Sequence, residues 1–244
     1  AILQNQVLEE LLVEHRFKEQ LKGNIYRGVV VQVQSSFQAA FIDFGHERNG
    51  FLPISEVNFA LFPPHSETNR NSIQSRLKVG QKLLVQVIKD PVNHKGATLS
   101  TEIGLPGRFM VFLSDAEKGG VSKKVEDLEE RKRLKDFLLG IHSEDNSAII
   151  RTAAVGQTLS ALKKDYTFLQ KRWNNIVVNY KSEDNPGLVF EEEGIIVRML
   201  RDYYTEDMKE IWIDNPDSFQ KALDYMKMIM PRKQRSLKLF VSEN

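Results

Sequence analysis

Arg151 and Thr152 are the neighbouring side chains with the most definite chemistry in this sequence. They stand in the run Ile149-Ile150-Arg151-Thr152-Ala153-Ala154-Val155-Gly156, where an apolar strand passes into a glycine-containing turn. A guanidinium at a strand end presents a planar fork of donors that matches phosphate oxygens, and the threonine hydroxyl adds another donor. The same fork serves carboxylates equally well, so a structural ion pair and cap is the competing reading. A second constellation is aromatic. Phe41, in Gln38-Ala39-Ala40-Phe41-Ile42-Asp43-Phe44-Gly45, and Phe51, in Gly50-Phe51-Leu52-Pro53, lie on adjacent strand-like runs. Such rings either fill a core or stand on an open sheet face, where they stack nucleobases beside cationic side chains. Arg27, Arg48 and Lys95 are the cations available to such a face.

Other chemistries find little support. Hydrolysis assisted by a divalent metal needs converging carboxylates. Asp202, Asp207, Asp214, Asp217 and Asp224 have no spacing that compels a site, and Asp214 reads better as part of a helix start. His15, His46, His65, His94 and His142 are scattered without metal-ligand spacing. There is no cysteine, which excludes a disulfide framework and a cysteine zinc site within the chain. No phosphate-binding loop, dinucleotide fingerprint or hydrolase elbow is present. Lys123-Lys124, after Gly119-Gly120-Val121-Ser122, reads as a cationic turn or a solvated face.

The elements that must position these residues follow from periodicity. Ile25–Gln34 alternates, with Val29, Val31 and Val33 on one face, the period of a half-buried strand. Residues 38–44 form the next strand and Phe51-Leu52-Pro53 a short third one, which Pro53 should keep at a sheet edge. Residues 58–80 are mostly loop, with a short helix over 71–78. Lys82–Lys89 alternates again, residues 90–94 turn, and Lys95–Ile103 is the last of five strands, a number and spacing that fit a small barrel. A second unit follows: a strand over Arg108–Leu113, a turn at Gly119-Gly120, a helix over Glu126–Gly140 stopped by its glycine, a strand over Ser147–Arg151, and a long helix from Thr158 to Tyr180. Leu159, Leu162, Tyr166, Leu169, Trp173 and Ile176 repeat at helical spacing on that helix and form its core stripe. After a polar linker at 181–187, the pieces Ile195–Arg198, Thr205–Lys209, Glu210–Ile213, Pro216–Met230 and Leu237–Val241 read strand, helix, strand, helix, strand. Asn215 caps the second of those helices and Pro216 begins it. Propensity makes residues 1–23 an amphipathic helix.

With 244 residues, 41% hydrophobic and 27% charged, the chain is an ordinary globular sequence with no apolar run of membrane-spanning length. Its net charge is only +1. Residues 24–101 hold 8 Lys/Arg against 5 Asp/Glu, whereas residues 102–196 hold 14 against 16. Affinity for nucleic acid would have to come from a local groove. Ala1 in place of methionine, and an end directly after a strand-like run, read as cut ends.

The wording Gly23-Asn24-Ile25-Tyr26-Arg27-Gly28, followed by Gln38–Gly45 and Gly50–Pro53, resembles the ribonuclease E/G family, and its barrel resembles the S1-type OB fold that binds RNA. The resemblance covers nearly the whole chain but only the N-terminal half of the family's catalytic region. It implies an α+β fold: a five-stranded OB-type barrel at 21–101 and an α/β 5′-sensor domain at 102–195, inserted in an incomplete RNase H-like α/β subdomain made of 1–20 and 196–244. It turns the first residues, to about Arg16, into a strand hairpin. By matching, it assigns Phe41, Phe51 and Lys95 to RNA contact. Arg151 and Thr152, with Gly107 and Val111, are assigned to recognition of a 5′-monophosphate. The family's arginines after the serine are lysines here, Lys123 and Lys124. The implied partner is single-stranded RNA with a 5′-monophosphate, and the implied location is the cytoplasm. The implied cofactor is Mg²⁺ for the parent enzyme. Its catalytic aspartates belong to a later DNase I-like domain that begins near a Gly-Gly-Ser-Ile-Val-Ile run, which this sequence lacks. No catalytic or metal residue is therefore expected in this chain. The family's zinc-bridging cysteines are missing, and nothing argues for an oligomer. A stand-alone RNA-binding module, or a protein-binding adaptor, is the alternative.

Overall fold

Near the start of the chain, pairing and not propensity decides the structure. In a computed structural model, β1 (Ile2–Gln4) and β2 (Val7–Glu10) form an antiparallel hairpin with Leu3 opposite Leu8. The structure describes residues 1–4, 7–11, 13, 20–64, 72–115, 119–141, 146–205 and 207–241. Most of the stretch from Leu11 to Arg16 thus lies outside the described residues. Two compact units emerge, residues 1–20 with 193–244, and residues 21–192.

The alternating runs close into a barrel. β3 (Ile25–Gln34), β4 (Ala39–Asp43), β5 (Gly50–Pro53), β6 (Lys82–Lys89) and β7 (Thr98–Ser100) are ordered β3-β4-β5-β7-β6, and β6 returns to β3. The short α1 (Ile73–Arg76) lies between β5 and β6 in sequence. Val30, Ala40, Ile42, Leu52, Leu83, Val85, Val87 and Leu99 fill the interior. A bulge between Val30 and Gln32 lets β3 bend while serving both neighbours. β5 is not an edge strand, contrary to the expectation from Pro53. It pairs with β4 on one side and β7 on the other. The β7 pairing involves only Phe51 opposite Thr98, so it ends before a proline that has no N–H to give.

The next segment builds a four-stranded sheet of β8 (Gly104–Pro106), β9 (Met110–Leu113), β10 (Gly120–Val121) and β11 (Ser147–Ile150), in the order β10-β11-β9-β8. β8 was not legible as a strand, and Gly120 begins a strand where a turn was expected. β10 runs parallel to β11 and the other pairs are antiparallel. Leu105, Met110, Phe112, Ala148 and Ile150 form a core with Leu134 of α2 (Leu128–Ile141) and with Leu162, Tyr166, Leu169 and Ile176 of α3 (Leu159–Ser182). α2 runs through Gly140 to Ile141. α3 starts after Thr158, whose hydroxyl accepts from Ala161 N. Leu159 departs from the expected stripe and is exposed, because it sits in the first turn, ahead of the sheet contacts. β12 (Gly187–Phe190) then pairs antiparallel with β3, adding a sixth strand to the barrel sheet.

In the other unit, Ile195–Arg198 is not a strand. It opens α4 (Ile195–Tyr203), because Val197, Leu200 and Tyr204 at helical spacing bury one face. The helix expected over Thr205–Lys209 does not form among the described residues. β13 (Ile211–Ile213) and β14 (Leu237–Leu239) pair in parallel, joined through α5 (Pro216–Ile229). The Asn215 side chain caps α5 by accepting from Ser218 N at 2.9 Å, with Pro216 first in the helix.

Candidate nucleic-acid interface

Strand register sets the barrel's outer face. Phe41 of β4 is directly opposite Phe51 of β5. Their rings meet edge to face, centroids 5.9 Å apart at 64°. Both are half-buried, while Ala40, Ile42 and Leu52 beside them are fully enclosed. Register extends the row: Gln32 lies opposite Phe41, Thr98 opposite Phe51, and Lys89 opposite Thr98. Lys89 is exposed and was not singled out from sequence, because only register places it in the row of Phe51, across Thr98. Lys95 is exposed in the β6–β7 turn, two residues before Ala97, whose carbonyl accepts from Phe51 N at 2.8 Å. Arg48 in the β4–β5 loop donates to Asn93 O in that same turn at 2.6 Å, joining the two loops beside the aromatic row.

Arg27 does not belong to this face. It is 3% exposed and donates to Asn179 O at 2.7 Å, Asn185 O at 2.8 Å and Tyr180 O at 3.1 Å. It closes the end of α3, where unpaired carbonyls collect.

The sheet of the second core assembles the other constellation. Arg151 N donates to Phe109 O, and its guanidinium donates to Gly107 O, both at 2.8 Å. Thr152 is exposed and starts a short 3-10 turn through Ala154. Val111 is half-buried and lies opposite both Ile149 and Pro106. These three share the sheet face opposite Met110, Phe112 and Ile150, which pack under the helices. Gly107, Val111, Arg151 and Thr152, separated by up to 45 positions in sequence, thus meet at the β9–β11 end of one sheet. Ser122 N donates to Ile150 O at 2.9 Å, so the exposed pair Lys123-Lys124 follows directly beside this end. Arg131 of α2 holds that turn through Ser122 O at 2.8 Å and Val121 O at 3.2 Å.

Two carboxylates support this end of the sheet, Asp165 at the turn before β9 and Glu130 at the loop after β11. Asp165 of α3 accepts from Arg108 N at 3.2 Å, Phe109 N at 2.7 Å and Met110 N at 3.3 Å. Burial raises its pKa, against those three hydrogen bonds and the Arg151 charge. A Cβ on Gly107 would stand 2.7 Å from Leu169 Cδ1 and 2.8 Å from an Asp165 oxygen, so any side chain there would force the turn and these groups apart. Glu130 of α2 accepts from Gly156 N at 2.9 Å, where Gly156 ends the loop with φ +71°. It also receives a two-pronged bond from Arg133 at 2.6 and 2.7 Å. Sequence reasoning missed both carboxylates. Asp165 left a trace, an acid within the apolar stripe Leu162, Tyr166, Leu169, whereas Glu130 sits in a run of charges and left none.

The bonds from Arg133, then that from Gly156, lower the Glu130 pKa from 4.5 to about 2. A carboxylate whose folded pKa is depressed adds stability above its unfolded pKa and loses it as pH falls through the folded value. The melting-temperature gap between wild type and Glu130→Gln should therefore be widest above about pH 4.5 and close toward about pH 2. A gap constant across that window would remove Glu130 from the loop's support.

Among the described residues, no three His, Cys, Asp or Glu side chains are grouped to hold a metal. No described helix is long and apolar enough to cross a membrane.

The model of the ribonuclease E/G family matches residues 104–244, and that of the S1 RNA binding domain matches residues 19–102. Ribonuclease E of Buchnera aphidicola subsp. Acyrthosiphon pisum is 37% identical over 247 residues, spanning 100% of this chain and 27% of that protein. Ribonuclease E of Escherichia coli K12 is 36% identical over 247 residues, spanning 100% of this chain and 23% of its own. Ribonuclease G of the same strain is 32% identical over 240 residues, 95% of this chain and 48% of its own. The chain thus spans between about a quarter and a half of these relatives.

Proposed function

The chain belongs to the ribonuclease E/G family, and from that premise we propose that it is the RNA-binding and 5′-end-sensing part of an endoribonuclease acting on single-stranded RNA in RNA processing and decay. The observation that carries the reading is the Phe41–Phe51 pair, held outside the barrel core on the face that also presents Lys89. Two rings in register offer adjacent stacking platforms, and stacking tolerates any base. The meeting of Arg151, Thr152, Gly107 and Val111 supports a second contact, one that takes a terminal monophosphate through the Arg151 fork and the Thr152 hydroxyl. The reacting carboxylates and Mg²⁺ of the parent enzyme belong, on this reading, to sequence outside these 244 residues. Mg²⁺ there would polarise the phosphate and activate water. The chain alone binds RNA without cutting it, and its home is the cytoplasm. Mg²⁺-dependent cleavage by the pure chain would contradict that division of labour.

Phe41→Ala and Phe51→Ala should each weaken binding of a short single-stranded RNA by about 1–3 kcal/mol, with the unfolding midpoint little changed. Fluorescence titration and thermal melting on the same variants test this. A folding loss of about 3–5 kcal/mol, as for a core phenylalanine, with binding intact after correction for unfolded protein, would return both rings to a structural role.

A further inference from the structure

Asp165 is the one acidic residue in the 24 residues of α3, and it is 1% exposed. Leu162, Tyr166 and Leu169 around it are core. A carboxylate placed there forgoes water and is tolerated only when hydrogen bonds replace it. All three backbone donors it receives, from Arg108, Phe109 and Met110, come from one turn. Three successive N–H groups aimed at one point make an anion-binding concavity. Asp165 fills that concavity from within the protein, so it is closed to a phosphate. The same turn begins at Gly107, whose carbonyl receives the Arg151 guanidinium at 2.8 Å. Asp165 therefore reaches Arg151 in two ways: through its charge, and through the position of the Gly107 carbonyl. The absence of a Cβ at Gly107 lets the carboxylate approach this closely.

We propose that Asp165 is the positioning residue of the terminal-phosphate pocket. By clamping the Gly107–Met110 turn, it sets where the Arg151 fork stands and leaves the RNA phosphate to Arg151 and Thr152. This rests on the 5′-end-sensing reading above.

The test compares affinities of the chain for one short RNA carrying either a 5′-monophosphate or a 5′-hydroxyl. Wild type should prefer the monophosphate. In Asp165→Asn, of nearly equal volume, one acceptor oxygen becomes an amide that opposes the turn's N–H groups. The preference should fall to near one, with hydroxyl-ended RNA bound as before through the barrel. Ile176→Ala, in the same core but away from the turn, is the stability control: it should melt lower and keep the preference. An Asp165→Asn variant with the wild-type preference overturns the proposal. Loss of the preference in Ile176→Ala as well also overturns it, since general loosening would then suffice. Should Asp165→Asn not fold, Gly107→Ala takes its place. The added methyl group pushes the turn off an intact carboxylate, and an unchanged preference there again overturns the proposal. Equal binding of both RNAs by wild type removes the sensing reading itself, which separates that failure from one confined to Asp165.

Discussion

Replacing Arg27 with alanine should lower the free energy of unfolding by about 3 kcal/mol, roughly 1 kcal/mol for each of the three part-buried carbonyls that lose their donor. The ion pair is not the reason. Glu183 stands 3.5 Å away with its side chain 74% exposed, and such pairs contribute little. What matters is the set of carbonyls of Asn179, Tyr180 and Asn185 that the guanidinium gathers. These carbonyls are part-buried, which places each at the low end of the about 1–3 kcal/mol that an acceptor left without a donor costs. The loss spreads, because Arg27 also lies opposite Gly187 in the β3–β12 pairing. One side chain thus ties the end of α3, the linker after it and the barrel wall. Arg27→Lys should recover only part of the loss, since one ammonium lacks the planar fork that spans three acceptors. Urea unfolding followed by circular dichroism measures both. A loss under about 1 kcal/mol would mean that solvent satisfies these carbonyls.

Arg151→Ala should abolish the preference for a 5′-monophosphate while leaving the binding of hydroxyl-ended RNA unchanged. A hydrogen bond to a charged group contributes about 1.5–3 kcal/mol, roughly a 10- to 150-fold change in relative affinity. Arg151→Lys keeps the charge without the fork and should fall between. The competing account, a structural arginine, has its own observation, the bond to Gly107 O. It expects equal weakening for both RNAs and a lower melting point. Fluorescence titration of the two RNAs, beside a melt of each variant, distinguishes the accounts. Equal binding of both RNAs by wild type would leave an OB-fold RNA binder and return Arg151 to the structural role.

The strands of the barrel, the two long helices of the second core and the cap at Asn215 were legible because their signals are local. Period-two alternation, a 3.6-residue stripe and a capping side chain lie within a few residues of what they specify. The Arg151-Thr152 run and the two phenylalanines were legible for the same reason, and their wording carried the family resemblance. The errors share one cause. β-branched residues made Ile195–Arg198 read as a strand, yet burying Val197, Leu200 and Tyr204 together makes it a helix. Pro53 promised an edge, yet closure of the barrel gives β5 two neighbours.

The sequence by itself determined most element types of the barrel and of the second core, and offered the residues chemically suited to phosphate and base, because these depend on side-chain chemistry and short-range periodicity. Only the tertiary structure decided their use. It turned Arg27 inward to the end of α3, set Lys89 in the row of Phe51, and brought Asp165 under the turn that holds Arg151. These depend on which distant segment fills the adjacent space. That choice is made by register and packing between segments far apart in the chain, 158 residues for the Arg27–Asn185 bond, which no local pattern encodes.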